Sequence, residues 1–575
     1  MSAAFVGLAA CVSAPADESV VGDYLSARFA AHTNDVYGAA SSFSKARQQA
    51  PGSVEIRRTA FFFDLAAGKY DEAMAIAEVM AKDPNAGDGG FAKGALAAKA
   101  LKAGDYARAI RIVSAAREDG FPAPAANLIE VWAIAGKDGD DTALTKLRGI
   151  PGEEYRGFYP LHAALLAENL QRPDEARSAY QLSVMAFSGS AEIDAYGEFL
   201  ERQGDDKSIR DYYELLASQD GLGRFAGRTG LARLDAGRIR TGSRTVSPSE
   251  GATLALYSLA SGILQDAYER RQAAERAGFR VGEADYNLPL AMTRLALYLD
   301  PDLDDAQRFA GSILNLYGDH EQAIALLSMV EPDTPYYEQA RIEIAGAYAA
   351  QERTDEAIAA LRTLIRRQPN ARDARLSLAG LYASQDRHAD TVAVMNSVIE
   401  TLPPQPQTTA WRYYLTRAAS LLEINEWKRA EADLVRAVEI APEEATALNY
   451  LGYSWAERGE NLEKAFDLIE KAVAIEPNSG AIIDSLGWAH YQLGNYTEAV
   501  GYLEQAASIE PGDPTITDHL GDVYWRLDRP IEARYQWRRV LELEPDEELT
   551  NQINEKLEDG LTSEANEASA AATSK

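Results

Sequence analysis

The sequence predicts an all-α solenoid, with antiparallel helix pairs stacked one after another from about residue 20 to 558. Three observations lead there. A chain of 575 residues is too long for one hydrophobic core, so it divides into domains or runs as a repeat array. Alanine, leucine and glutamate are abundant and β-branched runs are scarce, which favours helix throughout. The third observation is a period. Pro335, Pro369, Pro403, Pro442, Pro477, Pro511 and Pro545 follow one another at spacings of 34, 34, 39, 35, 34 and 34.

Two further positions keep step with those prolines. Twelve residues before each stands a small residue: Ala323, Ala357, Thr391, Ala430, Ala465, Ala499 and Ala533. Four residues after it comes a large apolar one: Leu327, Leu361, Met395, Leu434, Ile469, Leu503 and Trp537. All three shift together through the same two insertions, which excludes coincidence. In 480–513, Leu486, Gly487 and His490 mark a first helix, and Ala499, Leu503, Ala506 and Pro511 a second. The next block repeats the pattern with Leu520, Gly521, Tyr524, Ala533, Trp537, Val540 and Pro545. Small residues let two helices approach closely, large ones fill the space beside them, and the proline closes the second helix.

This 34-residue pattern resembles the tetratricopeptide repeat (TPR). The resemblance implies a right-handed superhelix of antiparallel helix pairs that binds other proteins. Upstream the pattern weakens. Ala39, Phe43, Ala46 and Pro51 fit one repeat, and the inter-helix turn recurs at 68–73 (GKYDEA), 104–109 (GDYARA) and 171–176 (QRPDEA). The register is hard to follow between 221 and 300, and 238–251 (RIRTGSRTVSPSEG) reads as an exposed loop. The expected organisation is a leader and tether over 1–19, divergent TPR-like repeats over 20–303, a regular array over 304–558 and a disordered tail over 559–575. Pro403, Pro404 and Pro406 lengthen one inter-repeat loop.

Charge and motifs narrow the function. With 57 Lys+Arg against 88 Asp+Glu the formal charge is −31, which repels phosphate backbones and excludes nucleic acid as a partner. The six histidines are scattered, without HExxH, so no metal site is expected. No GxSxG, Walker-type loop, GxGxxG after a strand or CxxC occurs, and neither an enzyme nor a cofactor is expected. No apolar run approaches the roughly 20 residues of a membrane span.

The single cysteine, Cys11, closes Leu8-Ala9-Ala10-Cys11, which resembles a bacterial lipobox. The resemblance implies lipidation of Cys11, and Val12 after it implies sorting to the outer membrane, facing the periplasm. No Lys or Arg precedes the apolar residues, so either the true start lies upstream of Met1 or the match is accidental and the chain is cytoplasmic.

By family resemblance, the second, fifth, ninth and twelfth positions of each repeat line a concave groove. These are Thr446, Asn449, Tyr453 and Ala456; Ala481, Asp484, Trp488 and Tyr491; Thr515, Asp518, Asp522 and Trp525. The candidate groove residues are Asn449, Tyr453, Asp484, Trp488, Tyr491, Asp518, Asp522 and Trp525, an aromatic and acidic set suited to an extended peptide. Chaperone-binding repeats grip an acidic C-terminus with Lys, Asn and Arg, and Asn449 alone fits that pattern. Tyr491 and Trp525 read equally as packing residues, whereas Trp488 at the ninth position does not. The C-terminal blocks are similar to those of large TPR lipoproteins of the LbcA type. That family, with the smaller NlpI type, binds a periplasmic carboxy-terminal processing protease and presents cell-wall hydrolases to it. The expected function is therefore a non-catalytic adaptor. The alternatives are an assembly scaffold for envelope secretion, pilus or polysaccharide machinery, and a cytoplasmic regulatory module. Apolar surface at a solenoid end would also allow a homodimer.

Overall fold

The small and the large residues that keep step with the prolines are residues the fold buries. In the computed structural model, all seven small and all seven large residues of the repeat signature are 0% exposed. Thr391 fits where the other blocks have alanine because its hydroxyl donates to the Ala379 carbonyl at 3.0 Å. The structure describes residues 18–83, 89–151, 157–187, 189–219, 221, 223–276, 286–402 and 408–561. Cys11, the prolines Pro403, Pro404 and Pro406, and the tail from 562 lie outside them. The described residues form thirty α-helices and one short 3₁₀ turn, and no helix is long and apolar enough to cross a membrane.

The turn between the helices of a pair is closed by a residue in the left-handed region. Gly318, Glu352, Asp386, Asn425, Gly459, Gly494 and Asp528 all have positive φ and repeat at 34, 34, 39, 34, 35 and 34, a further trace of the same period. Gly68, Gly104 and Gln171 hold this conformation at the three upstream turns. Glycine adopts it without a Cβ penalty, and Asn and Asp tolerate it.

The described residues pack as two units, one running to 274 and from 286 to 364, the other from 365 onward; the boundary falls inside helix Thr354–Arg367. In the first unit the divergent repeats share a buried network. Tyr180 donates to Glu168 at 2.9 Å and Arg202 grips the same carboxylate at 2.7 Å. Thirty-three residues on, Tyr213 and Arg233 each reach Glu201 at 2.6 Å. The two networks are one repeat apart in sequence, so a polar register persists where the apolar one has faded.

The middle of this unit departs from a plain array. The expected loop over 238–251 ends early, because helix Pro248–Arg276 begins inside it. Ser247 and Glu250 cap each other's backbone N–H, with Glu250 accepting from Ser247 N at 2.8 Å and Ser247 Oγ from Glu250 N at 3.2 Å. This is a capping box written in the sequence as SPSE. The strap before it is pinned by Asn169, whose side chain bonds both the N–H (2.8 Å) and the C=O (2.9 Å) of Val246. Helix Asn287–Leu299 buries ten of its thirteen residues, as expected of a helix surrounded on all sides. It packs on helices Val54–Ala66 and Gly90–Lys102. Arg294 ties it there, donating to Ala66 O at 3.1 Å and Tyr37 Oη at 2.8 Å.

The second unit is more regular. Helix pairs Ala445–Glu457 with Leu462–Ile475, Gly480–Gln492 with Tyr496–Ile509, and Pro514–Arg526 with Pro530–Glu542 follow in order, and helix Glu547–Asp559 packs on the last of them.

Candidate partner-binding groove

The groove is built from the first helices of the last three pairs. Their spacing is set by Gly487 and Gly521, which face the second helices so closely that a Cβ would lie 2.7 Å from Leu503 Cγ and 2.5 Å from Trp537 Nε1 respectively. The remaining faces of these helices carry the predicted residues, and several come together.

Trp488 is the centre of the cluster. Its ring stacks on Tyr491 (centroids 4.6 Å apart, planes at 6°) and on His519 of the neighbouring first helix (4.0 Å, 15°). His519 Nδ1 meets Asp484 at 2.9 Å, and Arg526 donates to the Tyr491 hydroxyl at 3.0 Å. Asp484, Trp488 and Tyr491 therefore form one assembly, with His519 and Arg526 as members the sequence reading did not name. Burial pushes the His519 imidazole down, but the carboxylate of Asp484, then those of Asp518 and Asp522, overcome it and hold it above its ordinary value.

Asp518 and Asp522 form a second assembly. Lys556 of helix Glu547–Asp559 bonds Asp518 at 2.7 Å and Asp522 at 2.9 Å, and Trp537 Nε1 donates to Asp522 at 3.0 Å. Burial, then Asp518, pushes the Asp522 carboxyl up to about 6 against the pull of Lys556. Trp525 stands over Gly560, where a Cβ would fall 2.0 Å from its ring, and 5.4 Å from Trp537. Two carboxylates read as part of a peptide-binding set are thus already held by the chain's own last helix. Nothing in the sequence marks Lys556, because the pairing joins residues 38 positions apart.

The open part of the groove lies toward Ala445–Glu457. Tyr453 and Asn449 are both half-buried. The Tyr453 hydroxyl is raised by burial and then by Glu457, Asp484 and Asp518. Among the predicted groove residues, Trp488 Nε1 and Asn449 Oδ1 are buried polar atoms without a hydrogen-bond partner, one a donor and one an acceptor. Among the described residues no cluster of His, Cys, Asp and Glu is placed to hold a metal ion.

Tetratricopeptide-repeat family models match residues 342–406, 415–480 and 482–513, and these segments are tetratricopeptide repeats. The TPR repeat-containing protein PA4667 of Pseudomonas aeruginosa is 37% identical over 87 residues, 15% of this chain and 15% of that protein's length. Among solved structures, a chain of the APC/C hetero-tetramer Cut9–Hcn1 aligns over 94% of this chain and 96% of its own, with 14% identity and a TM-score of 0.39. MamA aligns over 29% of this chain and 95% of its own, with 25% identity and a TM-score of 0.26. Repeats of this kind bind other proteins.

Proposed function

We propose that this tetratricopeptide-repeat chain is a non-catalytic adaptor that holds an extended segment of a partner protein along helices Ala445–Glu457 and Gly480–Gln492. The observation that carries the reading is the pair of unpartnered polar atoms, Trp488 Nε1 and Asn449 Oδ1. A buried donor or acceptor left unpaired costs about 1–3 kcal/mol, and a peptide backbone supplies the C=O and N–H that would satisfy both. The half-buried side chains of Trp488 and Tyr491 give such a segment apolar surface to lie against.

The wider role we propose is that of a lipid-anchored scaffold on the outer membrane, facing the periplasm. It brings a carboxy-terminal processing protease and its cell-wall hydrolase substrates together. Cys11 is the proposed anchor and the protease the proposed occupant of the groove. The adaptor works by effective concentration, with no chemistry of its own.

Affinity capture of the tagged chain from mildly crosslinked cells tests this. The expected catch is a processing protease together with peptidoglycan hydrolases, diminished in Trp488→Ala. Trp488→Phe keeps a ring for stacking but removes the N–H, and should weaken capture by about fivefold, the value of one hydrogen bond of roughly 1 kcal/mol. Secretion or assembly components without a protease would replace the adaptor by an assembly scaffold. Cytoplasmic partners, or Cys11→Ala leaving the chain's membrane association unchanged, would remove the proposed anchor.

A further inference from the structure

The first unit holds a cavity of about 570 Å³ that the proposed function does not use. Its wall comes from the turn before helix Tyr70–Met80, the end of helix Gly90–Lys102, helix Asn287–Leu299 and the two helices that follow it. The volume falls within the roughly 300–1,000 Å³ of small-ligand sites.

Arg294 is the unusual member of this wall. It is 5% exposed, yet the acceptors it meets are neutral. Its Nε donates to the Ala66 carbonyl at 3.1 Å and its Nη2 to the Tyr37 hydroxyl at 2.8 Å. The Tyr70 hydroxyl is raised by burial, and the same guanidinium opposes that rise. Among the described residues Arg294 forms no ion pair. Arg202 and Arg308, whose side chains are comparably buried, each hold a carboxylate, Glu168 and Asp305 respectively. A charge taken out of water is costly unless an opposite charge joins it, so the Arg294 site is complete only with an anion in the cavity.

The rest of the wall says which anion. Lys102 is exposed; its ammonium lies 4.8 Å from the Tyr298 ring and bonds the Tyr298 carbonyl, which leaves two of its three N–H donors available. Lys69 acts instead on the buried carboxyl of Asp64. Gln307, 3% exposed, bonds the Pro301 carbonyl at 2.7 Å through its amide nitrogen and leaves Oε1 without a hydrogen-bond partner. Asp71 and Glu72 are exposed carboxylates of the same wall, without an ion pair among the described residues, and they disfavour a phosphate or any polyanion. Leu326 and Met329 add apolar surface, the latter 52% exposed.

We propose that this cavity binds a free oligopeptide of two or three residues. Its terminal carboxylate sits on Arg294 and Lys102, its terminal ammonium faces Asp71 and Glu72, and an apolar side chain lies on Leu326 and Met329. A carboxylate matches the planar fork of a guanidinium, and a peptide N–H supplies the donor that Gln307 Oε1 lacks. A single amino acid has no amide N–H and would divide its one ammonium between Gln307 and the carboxylates.

The test is calorimetric titration of the full chain with leucyl-leucine, beside leucyl-leucinamide and N-acetyl-leucyl-leucine, in matched salt. Saturable binding of leucyl-leucine is expected, roughly tenfold or more weaker once the carboxylate is amidated, and severalfold weaker once the amine is acetylated. Arg294→Gln removes the charge and should weaken leucyl-leucine as far as amidation does. Because Arg294 also seats helix Asn287–Leu299, Lys102→Met is the second variant; at an exposed position it leaves the fold intact and should weaken binding severalfold. Absence of saturable binding at millimolar concentration overturns the proposal. So does undiminished binding of the amide, or undiminished binding by a folded Arg294→Gln or by Lys102→Met. Undiminished binding of the acetylated peptide overturns it in favour of the C-terminus of a protein.

Discussion

Replacing Gly487 by alanine measures how much the repeat depends on close helix approach. The new methyl carbon would sit 2.7 Å from Leu503 Cγ, 2.9 Å from Leu503 Cδ2 and 3.3 Å from the Ala499 carbonyl oxygen. Carbon–carbon contacts are favourable only from about 3.5 Å, so the two helices must part or Leu503 must leave its rotamer. Leu503 is 0% exposed and has no free side to turn to. Overpacking of this kind costs about 1–3 kcal/mol, while helix propensity returns about 1 kcal/mol, for a net loss of up to about 2 kcal/mol. Gly380 in helix Arg372–Ala383 is the control, because nothing lies within 4 Å of its added Cβ. There alanine should stabilise by up to about 1 kcal/mol, so the two substitutions should differ by about 1–3 kcal/mol, the cost of the overpacking. Urea unfolding, with hydrogen exchange of helices Gly480–Gln492 and Tyr496–Ile509, reads both effects. If Gly487→Ala gains as much stability as Gly380→Ala, close approach is not the reason for glycine at this position.

Other substitutions probe the groove and the first unit. Lys556→Met leaves Asp518 and Asp522, 10% and 7% exposed, without their cation. It should cost about 3–5 kcal/mol and expose the amides of helix Glu547–Asp559 to exchange; unchanged protection would show that the acidic pair does not need the lysine. Asp522 and His519 both bind protons more tightly in the folded chain than in the unfolded one, and both contributions are lost as pH rises through the folded values. The urea midpoint of the C-terminal repeats should thus fall between about pH 4 and about pH 6 on account of Asp522 and above about pH 6.5 on account of His519, with Asp522→Asn flattening the lower part of that fall and His519→Gln the upper. A pH dependence unaltered by both variants would refute the assignment. Arg294→Met removes the hydrogen bonds to Ala66 and Tyr37 and should lower stability by about 1–3 kcal/mol, measured as a drop in melting temperature; an unshifted melt would show that apolar packing alone seats helix Asn287–Leu299.

The repeat was legible because its cause is local. Ala499 and Leu503 must face Gly487 within one pair, and the residues needed for that contact recur with the pair. The same holds for the turn at Gly68 and for the capping box of Ser247 and Glu250, although the latter was read as part of a loop because Gly and Pro surround it. The groove was half legible. Position in the repeat brought Asp484, Trp488 and Tyr491 to one surface, but their assembly is completed by His519 on the next first helix. The acidic reading of Asp518 and Asp522 missed Lys556, whose approach depends on how the last helix docks.

By itself, the amino-acid sequence determined that this protein is helical, that its C-terminal half is built on a 34-residue pair, and which residue in each pair is buried. Periodic packing within neighbouring helices is enough for that. Only the tertiary structure decided where helix Asn287–Leu299 lodges, 228 residues from its Ala66 contact, which carboxylates of the groove the last helix holds, and that a cavity opens beside Arg294. Each depends on contacts between segments far apart in the chain, and such contacts leave no period for a sequence to display.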